Sequence, residues 1–171
     1  MRVLSTLAVM ALSAGIGGAS SVPAASGNVD GSVVAAGKLP DGYRDWKLIS
    51  VAHEEGDLND IRAILGNDIA IKSYREGRAS FPDGAIIARL AWRYLPSDEN
   101  NAAFGRRQSY VSGPPTNVQF MVKDSKRYAS TGGWNFAQFN EGKSAQPAVQ
   151  QCFSCHVPVK ARDFVFSRYA P

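Results

Sequence analysis

Beyond residue 40 the apolar positions alternate more often than they recur at helical spacing, which predicts a chain built mainly from strands. From residue 46, Trp46, Leu48, Ser50 and Ala52 fall on one face and Lys47, Ile49, Val51 and His53 on the other, with Glu54-Glu55-Gly56-Asp57 marking the end. The pattern is sharpest over residues 85–95, where Ile86, Ala88, Leu90, Trp92 and Tyr94 oppose Ile87, Arg89, Ala91 and Arg93. Residues 60–65 predict another strand, and so do the runs carrying Val118, Phe120 and Val122 and then Trp134, Phe136 and Phe139.

Helical segments are short in this pattern. Asn67 stands where a side-chain oxygen caps a helix over residues 68–76, and Gly77 follows as its stop. Residues 123–129 predict a helical turn and residues 148–156 a helix, while Phe81-Pro82-Asp83-Gly84 reads as a turn. Residues 96–115 are polar and punctuated by Gly and Pro, which predicts a long surface loop with Arg106-Arg107 solvated on it. Asp163-Phe164-Val165-Phe166 closes the chain against the core. Strands interrupted by brief helices give an α+β, mainly β domain with an antiparallel sheet.

The first residues have a different character. Arg2 precedes an apolar run through Val3, Leu4, Leu7, Val9, Met10, Ala11 and Leu12, and small residues continue to Ala25. This is the layout of a signal peptide over residues 1–25, with Val22-Pro23-Ala24 or Ala25 at the cleavage site. Ser5, Thr6 and Ser13 break the run well short of the roughly 20 apolar residues a membrane span needs. The expected product is periplasmic or secreted and free of the membrane once cleaved. Residues 26–39, rich in Gly, Ala and Ser, read as a flexible leader, and residues 40–171 are one domain.

The chemistry is carried by Cys152-Phe153-Ser154-Cys155-His156. Two thiols at this spacing each add to a haem vinyl group, and the histidine next to the second turns its imidazole onto the iron. A disulfide between Cys152 and Cys155 competes, since exported chains do form them. Against it stand the lack of other cysteines in the sequence, the position of His156 and the want of a βαβ pattern around the motif. A zinc site wants four protein ligands and finds three nearby. One covalent haem c near the C-terminus is the expected cofactor, bound by Cys152 and Cys155 with His156 as proximal ligand. The formal net charge of +4 falls further with loss of Arg2 and addition of two propionates, and calls for no nucleic-acid partner.

With Met1 and Met10 lost in the signal, a sixth iron ligand could come only from His53 or Met121. His53 lies beside acidic residues on a strand, where a solvated histidine is the commoner fate, and Met121 follows Phe120 in a strand, where core packing is commoner. The sequence therefore favours a five-coordinate iron, the rival being a low-spin electron carrier closed by one of these two.

Several segments beside the haem motif resemble the cytochrome P-460 and cytochrome c′-beta family over about residues 40–171. They are Tyr43-Arg44-Asp45-Trp46, Asp60-Ile61-Arg62, Phe81-Pro82-Asp83-Gly84, Val122-Lys123-Asp124-Ser125-Lys126-Arg127-Tyr128, Gly132-Gly133-Trp134 and Asp163-Phe164-Val165-Phe166. The resemblance implies a mainly β homodimer, a sheet over the distal side of the haem, and His156 as the one protein ligand to iron. It places Arg62 near the distal pocket, as a donor to a small iron ligand or as a partner of a propionate. Phe81 is implied as an apolar cap of that face or as plain core. In hydroxylamine-oxidising members a lysine bonded to the porphyrin rim occupies the place that here holds Arg89. A guanidinium stays charged where a lysine can become a nucleophile, so no such crosslink is expected and efficient hydroxylamine oxidation is doubted; Arg89 could pair with a propionate instead.

The expected function is a haem protein that binds or transforms small nitrogen compounds, nitric oxide foremost, with a redox-protein partner available to the alternative electron carrier. Glu141 and Asp124 are proton acceptors by type alone. Trp92 and Trp134 read as core fillers.

Overall fold

The computed structural model describes residues 30–145 and 149–170; the expected signal peptide and the first residues of the expected leader lie outside them. Six antiparallel strands form one sheet in the order β1 (Lys47–Glu54), β2 (Asp60–Gly66), β3 (Ile86–Pro96), β4 (Tyr110–Lys123), β5 (Trp134–Asn140) and β6 (Lys143–Ala145). Around it lie α1 (Ser32–Ala35), α2 (Asp68–Arg75), α3 (Asp98–Phe104) and α4 (Val149–His156), with 3₁₀ turns at Tyr43–Asp45, Ala129–Thr131 and Val157–Arg162. The α+β, mainly β architecture matches the sequence pattern.

Alternation along the central strands divides the core in two. On β3, Ile86, Ala88 and Leu90 join Phe120, Val122 and Phe139 in one cluster, which Val34, Leu39, Tyr43 and Trp46 cover. Ile87 points the other way, into a cluster with Ile49, Ile71, Phe81, Trp134, Phe136 and Val165. Burying a side chain such as Phe120 or Phe139 contributes about 1.5–3 kcal/mol. Phe120 meets Phe139 edge to face at 5.7 Å, a geometry that favours the ring quadrupoles.

Asn67 does what the sequence predicts. Its Oδ1 accepts from Ala70 N at the start of α2 and from Ile86 N at the start of β3, while its Nδ2 donates to Gly84 O. One side chain thus ties the helix to the turn at Gly84 and to the strand beyond it.

Three expectations need correction. In β1 the strict alternation fails at a β-bulge between Leu48 and Ser50, so Ile49 is buried while Leu48 is 50% exposed. Residues 96–115 are not one loop. Ser97 caps α3 by accepting from Asn100 N, and Tyr110, Val111 and Ser112 already belong to β4, opposite Pro96, Leu95 and Tyr94. Register shifts on either side of Trp92 absorb Pro114-Pro115 within the strand, where prolines are tolerated at bulges. The helical turn expected at residues 123–129 forms as a single turn, with Tyr128 N donating to Asp124 O at 3.0 Å and Asp124 Oδ1 accepting from Lys126 N and Arg127 N, and a 3₁₀ helix follows at Ala129–Thr131. Within the expected leader, α1 buries Val34 against the sheet, so residues 30–39 are part of the fold.

Candidate haem site

Cys152 and Cys155 lie three apart on α4 and therefore on neighbouring positions of one helix face. Both border a cavity of about 1040 Å³, and so does His156. Its other walls are the sheet face carrying Ile64, Ile87 and Met121, with Phe136 from β5, and the C-terminal segment from Val165 to Ala170. That volume is at the top of the roughly 300–1,000 Å³ range of small-molecule sites, and the exposed lining is more apolar than polar, with polar side chains contributed by the sheet, by α4 and by the C-terminal segment. Ala170 N donates to Ile49 O at 2.8 Å, which fastens the C-terminal wall to β1.

The His156 ring is held by the backbone. A carbonyl can only accept, so the 2.7 Å contact with Phe164 O places the proton on Nδ1 and leaves the Nε2 lone pair free. Phe136 and Phe166 pack against the ring at 4.9 and 5.0 Å. Burial lowers the imidazole below its ordinary range, against the opposing effect of the Phe164 bond, and so favours the neutral form that coordinates. Both cysteines are free thiols, and burial followed by the neighbouring Cys155 pushes the Cys152 thiol up.

Across the cavity, the sheet contributes a charged cluster. Asp60 is buried and shares its carboxylate between two guanidinium groups: Arg62 donates from Nε to Oδ1 at 2.8 Å, with Nη2 at 2.6 Å from the same oxygen, and Arg89 Nη2 meets Oδ2. Arg89 Nη1 also donates to Asn117 Oδ1 and Gln119 Oε1, and Gln119 Nε2 donates onward to Gln138 Oε1. Glu54 lies 3.5 Å from Arg62 Nη1. Burial lowers Arg89 from its ordinary value, the Arg62 charge adds to the effect, and Asp60 opposes it. Two guanidiniums facing one buried carboxylate and one exposed one give this wall a balanced charge with N–H groups to spare. Among the described residues, Arg89 Nε has no hydrogen-bond partner.

A family model described as Cytochrome P460 matches residues 40–167. The chain belongs to the cytochrome P460 family. Among curated proteins none matches it. Membership implies that this cytochrome binds haem, and its residues fit that group: two thiols and an imidazole with a free Nε2 border one cavity, with unspent N–H capacity opposite.

The expected distal residues of the cytochrome part company here. Arg62 and Arg89 border the cavity, whereas Phe81 lies in the core beneath it, edge to face with Tyr74 at 5.0 Å and with Trp134 at 5.6 Å. Phe81 is therefore core and not a cap. His53 is exposed and stacks on Tyr94 at 3.7 Å, outside the cavity lining; Met121 is in that lining. Of the two candidate sixth ligands, only Met121 borders the site. Glu141, at the β5–β6 turn, and Asp124, at the end of β4, are not among the lining residues. Asp60, Asn117 and Gln119 were not singled out from the sequence. Asn117 and Gln119 border the cavity, and Asp60, outside its lining, sits two residues from Arg62 along β2, the spacing that puts side chains on one face.

Proposed function

We propose that this cytochrome is a periplasmic mono-haem c-type protein, tethered through Cys152 and Cys155 with His156 as the single protein ligand to iron, that binds or transforms small nitrogen compounds such as nitric oxide. The observation that carries the reading is the convergence of Cys152, Cys155 and His156 on one largely apolar cavity, with His156 Nε2 free. Haem bound there supplies a one-electron metal centre with a coordination position open to a small ligand. Ile64, Ile87 and Phe136 give the cavity an apolar surface. Arg62 and Arg89, steadied by Asp60, offer N–H donors to a small polar ligand or to a propionate.

Arg89 supports the expected absence of a rim crosslink, because its guanidinium is engaged by Asp60, Asn117 and Gln119 and cannot act as a lysine-like nucleophile. This weighs against efficient hydroxylamine oxidation. The alternative, a low-spin electron carrier, now rests on Met121 alone. Val51, Leu58 and Phe166, all exposed and all bordering the cavity, support a homodimer that covers this rim.

Absorption spectra of the purified protein test the reading. The expected result is a high-spin ferric spectrum that shifts with nitric oxide, is unchanged in Met121→Leu, and stays with the polypeptide through acid–acetone extraction. Pigment that extracts freely sinks the covalent assignment. A low-spin spectrum indifferent to nitric oxide that becomes high-spin in Met121→Leu establishes the electron carrier instead. In a tryptic digest the haem peptide should contain Cys152 and Cys155 without the Arg89 strand.

A further inference from the structure

Behind the cavity, outside its lining, Lys123 and Asp163 form a buried ion pair whose side chains are 6% and 8% exposed. Lysine is almost never this buried without a partner, and removing two charges from water costs about as much as their attraction returns. Such a pair is poorly explained by stability, so what it holds in place is the more informative question.

It holds a strained turn. Asp163 and Phe164 are consecutive non-glycine residues at φ 51° and 63°, a left-handed conformation that persists only where the surroundings over-determine it. Asp163 is fixed on every side. Lys123 Nζ donates to both its carboxylate oxygens at 2.7 and 2.9 Å, Phe81 N and Ser80 Oγ donate to Oδ2 at 2.8 and 3.2 Å, and Trp134 Nε1 donates to its carbonyl at 2.8 Å. Lys123 Nζ also reaches Gly132 O at 3.0 Å. The ring of Phe164 presses on Gly132 so closely that a Cβ there would lie 2.1 Å from it, which only glycine, itself at φ +65°, permits. The next atom group along is the Phe164 carbonyl, which accepts from His156 Nδ1 at 2.7 Å.

We propose that Lys123 and Asp163 are positioning residues for the proximal ligand: the ion pair locks the Asp163-Phe164 turn, and the turn fixes the carbonyl that orients His156 and strengthens its donation to iron. The proposal rests on the haem reading above. A hydrogen bond from Nδ1–H makes the opposite nitrogen a better donor, so loosening the turn weakens the iron–imidazole bond and favours ferrous over ferric iron.

The test compares haem-loaded wild type with Lys123→Met, Asp163→Gly and Asp163→Asn by resonance Raman of the iron–histidine stretch and by redox titration. Asp163→Gly is at ease at positive φ but lacks the anchor, so it separates anchoring from backbone strain. Asp163→Gly and Lys123→Met should move the stretch to lower frequency and raise the reduction potential. Asp163→Asn, which keeps an acceptor for Phe81 N, should shift both less. Ile71→Val, in the same core cluster, should lower the thermal midpoint and leave the stretch at its wild-type place. Where Lys123→Met does not accumulate, the double variant Lys123→Met with Asp163→Asn leaves no unpaired buried charge and gives the same readout. Haem-loaded variants with unmoved stretch and potential, or an equal shift in Ile71→Val, overturn the positioning role alone. Wild-type protein without haem overturns the functional reading itself.

Discussion

Asp60 is 2% exposed and its carboxylate is shared by two guanidiniums that would otherwise face each other across the sheet. Asp60→Ala leaves both half-buried without their shared partner, and breaking a buried pair in this way costs about 3–5 kcal/mol. Chemical denaturation should show a loss of that size; a loss below about 1 kcal/mol means the cluster is solvated enough to need no counter-charge. Part of this cluster is legible in the sequence, since Asp60 and Arg62 at a spacing of two share a face. Arg89 is not, because its place beside them follows from the pairing of Ile64 with Arg89 across β2 and β3, and a single chain does not print its register. That Cys152, Cys155 and His156 border one cavity was legible for the opposite reason, since local spacing alone joins them.

Asn67 connects elements in a comparable way. Asn67→Ala removes the α2 cap, worth about 1 kcal/mol, and orphans Ile86 N, worth about 1–3 kcal/mol more, so a loss of about 2–4 kcal/mol is expected. Asn67→Asp keeps the acceptor and should lose less; equal losses would show that the Nδ2 bond to Gly84 O matters most. The cap, α2 and β3 were readable because local chemistry and tertiary packing agree there. The first half of β4 was hidden because Gly113, Pro114 and Pro115 look like loop punctuation. Gly113 instead lies within the strand, where a Cβ would come within 2.5 Å of the Leu95 side chain on the facing strand. Val34 was hidden too: it lies in a stretch rich in Gly, Ala and Ser without periodicity, and only the apolar face of the sheet draws it in.

At the scale of the whole molecule, the C-terminal segment binds the site to the rest of the fold through Tyr74. The phenol donates to Ser167 O at 3.3 Å and its ring stacks on Tyr169 at 6.2 Å. Burial raises Tyr74 well above its ordinary value of 10.0. An unfolded tyrosine ionises first, so the stabilisation is complete below about pH 10 and is lost as the pH climbs beyond it. Thermal midpoints followed from about pH 8 to about pH 11 should fall less steeply in Tyr74→Phe than in wild type. Parallel curves would assign the alkaline loss to other groups. The sheet, meanwhile, runs β1 to β6 in strict chain order, with each strand laid beside its predecessor. Delivered from its amino end, such a chain finds every edge already waiting, and short-range pairing of this kind is fast. The thiols arrive after the wall they will face is finished. Sequence order thereby becomes a timetable, with the sheet ahead of the cysteine segment.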